Sequence, residues 1–185
     1  MSIIKTIICK GLGYLLHVVL EQVLHKPTTP ETAQTQHPES PQPPKNPNAP
    51  RGLRNNNPLN IRHNKDTFQG EITGTDKAFK TFSCMPYGYR AAFVILHTYL
   101  LRGENTIAKI VTRWAPPIEN DTENYIAFVE RHTGIPRHKE LTTSDGADYI
   151  LIMSAMSFME NGVNADISEI KAGFNLQSKI KLFNT

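Results

Sequence analysis

The alternation of apolar and polar residues predicts a mostly helical chain after Pro86. Apolar side chains there recur every three or four positions, the period of a helix that buries one face. Asn120 and Glu123 have the spacing of a capping box for the third predicted helix, and Gly134 is placed to end it. Five helices are expected, over about residues 87–101, 106–114, 121–133, 144–160 and 167–172.

Residues 55–82 lack this helical period and are rich in turn signals. Asn57-Pro58, Gln69-Gly70 and Thr73-Gly74 each favour a reversal of the chain between short extended segments. We therefore expect a small β-hairpin or irregular lobe in front of the helices. The predicted fold class is mainly α with a small β-lobe, that is, α+β.

Two segments of different composition precede this domain. Residues 1–26 place Lys5 and Lys10 before an apolar run, the layout of a signal anchor or of an amphipathic membrane segment. Residues 27–50 contain eight prolines in 24 positions and almost no apolar side chains, which predicts a disordered tether. The folded domain is expected at residues 51–185, outside the cytoplasm.

Composition and charge argue against several classes of function. The formal net charge is +3 over 185 residues and no block of basic residues occurs, so nucleic acid is not an expected partner. The two cysteines, Cys9 and Cys84, lie in different segments, and the seven histidines show no metal-ligand spacing. We expect no metal and no cofactor, and we expect a monomer.

Glu160 is the most informative acidic residue. It lies eleven residues after Tyr149 and four after Met156, which places it on the apolar face of the fourth predicted helix. Asn161-Gly162 then suits the end of that helix. A carboxylate at the end of a buried face loses hydration, which raises its pKa toward the range of a general acid. The alternative is a helix-end glutamate that reaches into solvent.

A run of asparagines marks a second candidate site. Residues 51–62 read RGLRNNNPLNIR, with four asparagines among six residues. Asparagine amides can bind sugar hydroxyls and N-acetyl groups, or they can form turns with their own backbone. Two tyrosines could stack on sugar rings, whereas Trp114 is expected to serve core packing. The predicted substrate-binding residues are Asn55, Asn56, Asn57, Asn60, Arg62, Tyr87 and Tyr125.

Several specific motifs occur in a fixed order along residues 51–165. They are RGLRNNNPLNIR at 51–62, Phe-Gln-Gly at 68–70, Asp76, the Phe79-x-x-Phe82 pair and WAPPIENDTENY at 114–125. Together they resemble a family of phage virion and prophage proteins that is associated with lysozyme-like degradation of peptidoglycan. The segment is similar, more loosely, to bacterial glucosaminidase and flagellar muramidase domains, although Phe68 replaces the tryptophan of their Trp-x-Gly turn.

The looser resemblance also concerns the catalytic glutamate. In those muramidases a helix with the pattern Ala-x-x-x-x-Glu-x-Gly precedes the asparagine-rich strand, where this chain has its proline-rich tether. Residues Ala155 to Gly162 match that pattern near the C-terminus instead. The resemblance therefore implies a lysozyme-like, circularly permuted domain with Glu160 as general acid. Asp76 and Glu71, on the predicted β-lobe, are candidates for a second carboxylate, as in lysozyme-like enzymes.

These observations predict cleavage of the glycan strands of peptidoglycan by a muramidase, a glucosaminidase or a lytic transglycosylase. The alternative is a non-catalytic virion structural module or a wall-binding module with the same fold, and a toxin-like effector would share the chemistry. The expected partners are peptidoglycan and, through residues 1–26, a membrane. The expected location is the cell envelope, anchored or exported and facing the wall, or the virion.

Overall fold

A computed structural model describes residues 46–118, 120–177 and Phe183. The elements are α1 (Arg51–Arg54), β1 (Glu71–Ile72), β2 (Thr81–Phe82), α2 (Met85–Leu101), α3 (Ile107–Trp114), α4 (Thr122–Thr133), α5 (Gly146–Asn161) and α6 (Ile167–Gln177). The prediction of a mainly α fold with a small β-lobe is confirmed. The predicted membrane segment at 1–26 and most of the tether at 27–50 lie outside the described residues. No helix within the described ranges is both long and apolar enough for a bilayer crossing.

The helices agree with the predicted boundaries to within a few residues, with two differences. The capping-box prediction is wrong by one position, because the Asp121 carboxylate caps α4 by accepting the Asn124 backbone N–H at 3.2 Å. The Asn120 side chain instead donates to the Pro116 carbonyl at 3.2 Å. The last helix is longer than predicted and continues to Gln177, whose side chain is buried and accepts the Phe183 backbone N–H at 3.1 Å.

The small sheet is an antiparallel pair that the turn signals predicted. Glu71 lies opposite Phe82, and Ile72 lies opposite Thr81. An isolated antiparallel bridge between Arg62 and Phe79 extends the lobe toward the asparagine-rich segment. The lobe therefore holds residues 60–69 in a fixed position beside the helices.

Helix α2 is the centre of the helical part and packs mainly against α6. The Phe93 and Phe174 rings meet edge to face with centroids 5.2 Å apart. The two helices approach closely at Gly173, where a Cβ would come within 2.6 Å of the Tyr89 Cβ. Helix α5 packs against α4, and α4 packs against α3. This arrangement surrounds the C-terminal end of α5 with α1, α4 and the loop that follows α1.

Candidate active site

Glu160 lies in the last turn of α5, at the end of the buried face of that helix. Gly162 follows with a φ of 68°, a left-handed conformation that glycine adopts without strain and that ends the helix. The periodicity of α5 thus brings a half-buried carboxyl to the edge of the core. The face consists of four fully buried side chains, those of Tyr149, Ile152, Met153 and Met156.

Three side chains from three separate segments donate hydrogen bonds to Glu160. Asn60, in the loop after α1, donates its amide N–H to Oε2 at 3.0 Å. The Tyr125 hydroxyl, on α4, donates to Oε1 at 3.3 Å and to the Met156 carbonyl at the same distance. A third side-chain hydrogen bond comes from Trp114 at the end of α3. The carboxyl is therefore held in one orientation by the tertiary fold.

Burial raises the pKa of Glu160 above that of an ordinary glutamate, and this effect exceeds the lowering by its three hydrogen bonds. Burial also raises the pKa of Tyr125 well above its usual value, so this residue stays protonated and remains a donor. A carboxyl that keeps its proton toward neutral pH can act as a general acid. The electrostatics of the site therefore fit proton donation.

Asn161, the next residue, fastens the asparagine-rich segment to the same helix end. Its buried amide donates to the Pro58 carbonyl at 2.7 Å and to the Ser157 carbonyl at 2.9 Å. A Cβ on Gly52 would overlap the Asn161 side chain, so α1 also approaches the end of α5 closely. Asn60 can reach Glu160 because Asn161 holds the loop in place.

Asn60 and Trp114, two of the three donors, line a cleft of about 960 Å³. One wall is a face of α2, the other is the loop of residues 60–69, and Arg113 lies beside Trp114 at the end of α3. The Glu160 carboxyl is not itself part of this lining, but it accepts hydrogen bonds from Asn60 and Trp114, which are. A group that can donate a proton thus adjoins an open groove with polar and aromatic walls.

Comparison with known proteins shows similarity to a bacteriophage protein. It is 47% identical over 130 residues to Protein P5 of Pseudoalteromonas phage PM2, a match that covers 67% of this chain and 79% of the relative. The chain belongs to the family of that phage protein. No protein-family model matches it. The phage association that the motifs implied is confirmed at this level, whereas degradation of peptidoglycan stays a prediction.

Two of the asparagines predicted to bind substrate are structural instead. Asn57 is fully buried: its amide donates to the Ile61 and Lys80 carbonyls at 2.9 and 2.8 Å, and its Oδ1 accepts the Ile61 N–H at 2.9 Å. Asn56 is 4% exposed and donates to the Phe82 carbonyl at 2.9 Å. The substrate-binding prediction is wrong for both residues, because they join the loop to the β-lobe.

Glu71, predicted as a second catalytic carboxylate, is engaged in an ion pair that supports the β-lobe. Its Oε1 lies 2.9 Å from Nζ of Lys80, a lysine that is 1% exposed, and its Oε2 accepts the Phe68 N–H at 3.1 Å. Burial alone would raise the pKa of Glu71, but the hydrogen bonds from Lys80 and Phe68 lower it overall. Both oxygens of Glu71 thus have structural partners, and Glu71 does not line the cleft beside Glu160, so its catalytic role stays a prediction.

Asp76, the other predicted second carboxylate, organises a turn of the β-lobe. Its Oδ1 accepts the Ala78 and Phe79 backbone N–H groups at 3.0 and 3.1 Å, and its Oδ2 accepts the Asn55 amide at 2.9 Å. The hydrogen bond from Ala78, followed by that from Asn55, lowers the pKa of Asp76. Neither Asp76 nor Asn55 lines the cleft, and neither is among the side chains that bond the Glu160 carboxyl.

The remaining predicted residues divide between the cleft and the core. Arg62 lines the cleft, with its guanidinium 5.2 Å from the centroid of the Phe79 ring. Tyr125 is 6% exposed, so the prediction that it stacks on a sugar is wrong, and its contribution is the bond to Glu160. Tyr87 packs its ring against Gly70, where a Cβ would overlap that ring, and it does not line the cleft.

The α2 wall of the cleft was not among the predicted site residues. Arg90 and Thr98 of α2, and Arg102 directly after its end, line the groove. A signal was present, because polar residues at a spacing of four or eight interrupt an otherwise apolar helix.

Proposed function

We propose that this protein cleaves the glycan strands of bacterial peptidoglycan with Glu160 as the general acid. The observation that carries this proposal is the half-buried Glu160 carboxyl. Its pKa is raised by burial, and two of the residues that bond it line a cleft. General acid catalysis of glycoside cleavage requires a carboxyl of this kind.

In the proposed reaction, Glu160 donates its proton to the glycosidic oxygen. The bond between that oxygen and the anomeric carbon breaks, and its electron pair stays on the departing oxygen. The anomeric carbon then takes an oxygen from water, which is hydrolysis, or from a hydroxyl of the same sugar, which gives an anhydro product. The attacking hydroxyl loses its proton to Glu160, which restores the acid.

The phage relative supports this proposal in a general way. A virus of bacteria crosses a peptidoglycan layer when it enters or leaves its host, so a glycan-cleaving protein has a place in its life cycle. The motifs at residues 51–62 and 114–125 add support through their resemblance to muralytic phage proteins. In the structure, both motifs contribute side chains that contact Glu160.

A non-catalytic virion or wall-binding module is the second candidate. The observation that favours it is that the three donors to Glu160 come from the loop after α1, from α3 and from α4. A carboxyl in that position also serves to join three segments of the fold. The two candidates predict different results when only the acidic proton of Glu160 is removed: the catalytic candidate predicts slower digestion of peptidoglycan, and the non-catalytic candidate predicts no change.

Glu160→Gln tests the proposal, because it keeps the shape of the side chain and removes the acid. We expect the variant to fold and to digest purified peptidoglycan at least about 100-fold more slowly, the usual scale of general acid catalysis. The parent rate should fall as the pH rises through the raised pKa of Glu160, because the carboxyl then loses its proton. The measurement is the rate of release of soluble glycan fragments.

Glu169→Gln is the matched control. Glu169 is a helix carboxyl whose pKa is also raised by burial, but it lies on α6 and does not line the cleft. This variant should digest peptidoglycan at the parent rate. Equal rates for Glu160→Gln and the parent would contradict the assignment and favour the non-catalytic candidate. Mass analysis of the products separates hydrolysis, which leaves reducing ends, from formation of anhydro ends.

A further inference from the structure

The cleft beside Glu160 is much more positively charged than the chain as a whole. Among the described residues that line it, Asp66 is the single carboxylate. The formal charge of the whole chain is only +3, so positive charge is concentrated at the cleft. A concave site of one charge sign attracts ligands of the opposite sign. The cationic lining residues are Arg62, Lys65, Arg90, Arg102 and Arg113.

Helix α2 contributes a regular stripe to this lining. Arg90, Val94 and Thr98 of α2, and Arg102 at its C-cap, all line the cleft at intervals of four residues, along one ridge of the helix. At 1.5 Å per residue, the two arginines are about 18 Å apart along the helix axis. The charges on this wall are therefore separated by uncharged side chains. Such spacing suits a polymer with a charge on some of its units better than a nucleic acid, which has one on every unit.

Arg90 has a hydrogen-bond donor that the described part of the chain leaves unused. Its Nε is buried and has no hydrogen-bond partner there. Arginine does not lose its proton, and a buried donor without a partner is destabilising. Arg90 also lines the cleft, so the accessible part of its guanidinium can bind a carboxylate there, the acceptor that a guanidinium fits best. Asn60 lines the cleft as well, and its buried Oδ1 has no hydrogen-bond partner among the described residues.

We propose that the α2 wall is a carboxylate subsite, in which Arg90 binds the acidic substituent carried by every second sugar of a peptidoglycan strand. This inference rests on the proposed function and names the part of the substrate that the cleft recognises. In a strand without peptides the substituent is the lactyl carboxylate of N-acetylmuramic acid. In a strand with peptides it is a carboxylate of the attached peptide. Chitin, a neutral polymer of N-acetylglucosamine, leaves Arg90 without an anionic partner.

Tryptophan fluorescence measures binding directly, because Trp114 is the only tryptophan of the chain and lines the cleft. The full chain with Glu160→Gln is titrated with peptide-free glycan strands and with the same strands after reduction of their carboxyls to alcohols. The reduced strands should bind about tenfold more weakly, the effect of losing one charge-assisted hydrogen bond. Strands that retain their peptides form a third arm, which separates the lactyl source of the carboxylate from the peptide source.

Arg90→Gln, added to the same chain, should remove the difference between native and reduced strands. Arg131→Gln is the control, because Arg131 is exposed on α4 and does not line the cleft, and it should keep the tenfold difference. Arg90→Lys tests whether charge alone suffices, and circular dichroism establishes that each variant folds. Should Arg90→Gln fail to fold, Arg102→Gln on the same stripe should reduce the difference in its place.

Equal affinity for native and reduced strands overturns the inference. So does a single-stranded oligonucleotide that binds as tightly as the native strands and is displaced by them. The proposed function fails separately: if the parent binds native strands selectively but cleaves none of them, the cleft is a wall-binding site and the carboxylate subsite stands. If the parent cleaves native and reduced strands at equal rates, the proposed function stands and the carboxylate subsite fails.

Discussion

At the scale of single residues, the asparagines at 55–60 have different roles despite their shared chemistry. Asn57 and Asn56 satisfy backbone groups inside the protein, Asn55 bonds Asp76, and Asn60 bonds Glu160 beside the cleft. The sequence showed that this run was a specified polar loop. It did not show which amides face inward, because that depends on the carbonyls that β2 and its neighbours present to each side chain.

Asn60 is expected to tune the pKa of Glu160. Its backbone has a φ of 50°, which glycine adopts freely, so Asn60→Gly removes the amide with little backbone strain. The hydrogen bond from Asn60 lowers the pKa of Glu160, and its loss should therefore raise that pKa further. Carboxyl-carbon NMR across a pH titration measures the change without any assay of activity. An unchanged Glu160 titration would show that Asn60 has no such effect.

Asn57→Ala should be strongly destabilising. The change removes three hydrogen bonds and leaves the Lys80 and Ile61 carbonyls and the Ile61 N–H inside the protein without that partner. The Ile61 carbonyl keeps its hydrogen bond from the Lys80 N–H, so two buried groups become unsatisfied. At about 1–3 kcal/mol each, we expect a loss of at least ~2 kcal/mol in the free energy of unfolding. Urea denaturation is the measurement. Asn55→Ala, which removes one half-buried hydrogen bond, should cost about 1 kcal/mol and serves as the comparison.

At the scale of elements, caps and breakers largely determined where the helices begin and end. Thr106 caps α3 by accepting the Lys109 N–H at 3.2 Å, and Gly134 ends α4 in a left-handed conformation. These local signals are visible in the sequence because they involve neighbours along the chain. Helix α6 exceeded its prediction because Phe174 packs against Phe93 of α2, a contact that no local pattern records.

Trp114, at the end of α3, is expected to have both a packing role and a site role. Its ring is half-buried, meets Tyr99 edge to face at 6.4 Å and donates a hydrogen bond to Glu160. Trp114→Ala should therefore cost about 2–3 kcal/mol of stability, below the ~3–5 kcal/mol of a fully buried aromatic residue. Chemical denaturation followed by circular dichroism measures it.

Trp114→Phe is the matched comparison for that truncation. It retains an aromatic ring and removes the N–H donor, so most of the stability should return while the pKa of Glu160 rises. A phenylalanine variant with the parent pKa would show that Trp114 acts through packing alone.

At the scale of the whole molecule, the position of the Glu160 carboxyl depends on four segments that are distant in sequence. Glu160 lies a hundred residues from Asn60 and 35 residues from Tyr125, yet it bonds both. Gly88 makes this assembly possible from the side of α2, because a Cβ there would overlap the Asn56 carbonyl. The site therefore forms only when the helices and the β-lobe pack together.

The folded domain should not require the first 45 residues. Helix α1 begins at Arg51, but two residues before it accept hydrogen bonds from it. The Pro50 carbonyl accepts the Leu53 and Arg54 backbone N–H groups, and the Pro47 carbonyl accepts a guanidinium N–H of Arg54 at 3.3 Å. We expect a chain of residues 46–185 to fold and one of residues 51–185 to be less stable by about 1 kcal/mol. Circular dichroism and urea denaturation of the two chains test this. An unfolded 46–185 chain would place the domain boundary earlier.

The sequence by itself determined the helices, the turn-rich lobe and the position of Glu160 on a buried helix face. These features depend on local spacing, and the residues that produce them are close along the chain. Only the tertiary structure decided that Glu71 and Asp76 stabilise the β-lobe, that Tyr125 holds Glu160 instead of a sugar, and that the cleft lies along α2. Those outcomes depend on partners far away in sequence, which no periodicity or motif of this chain specifies.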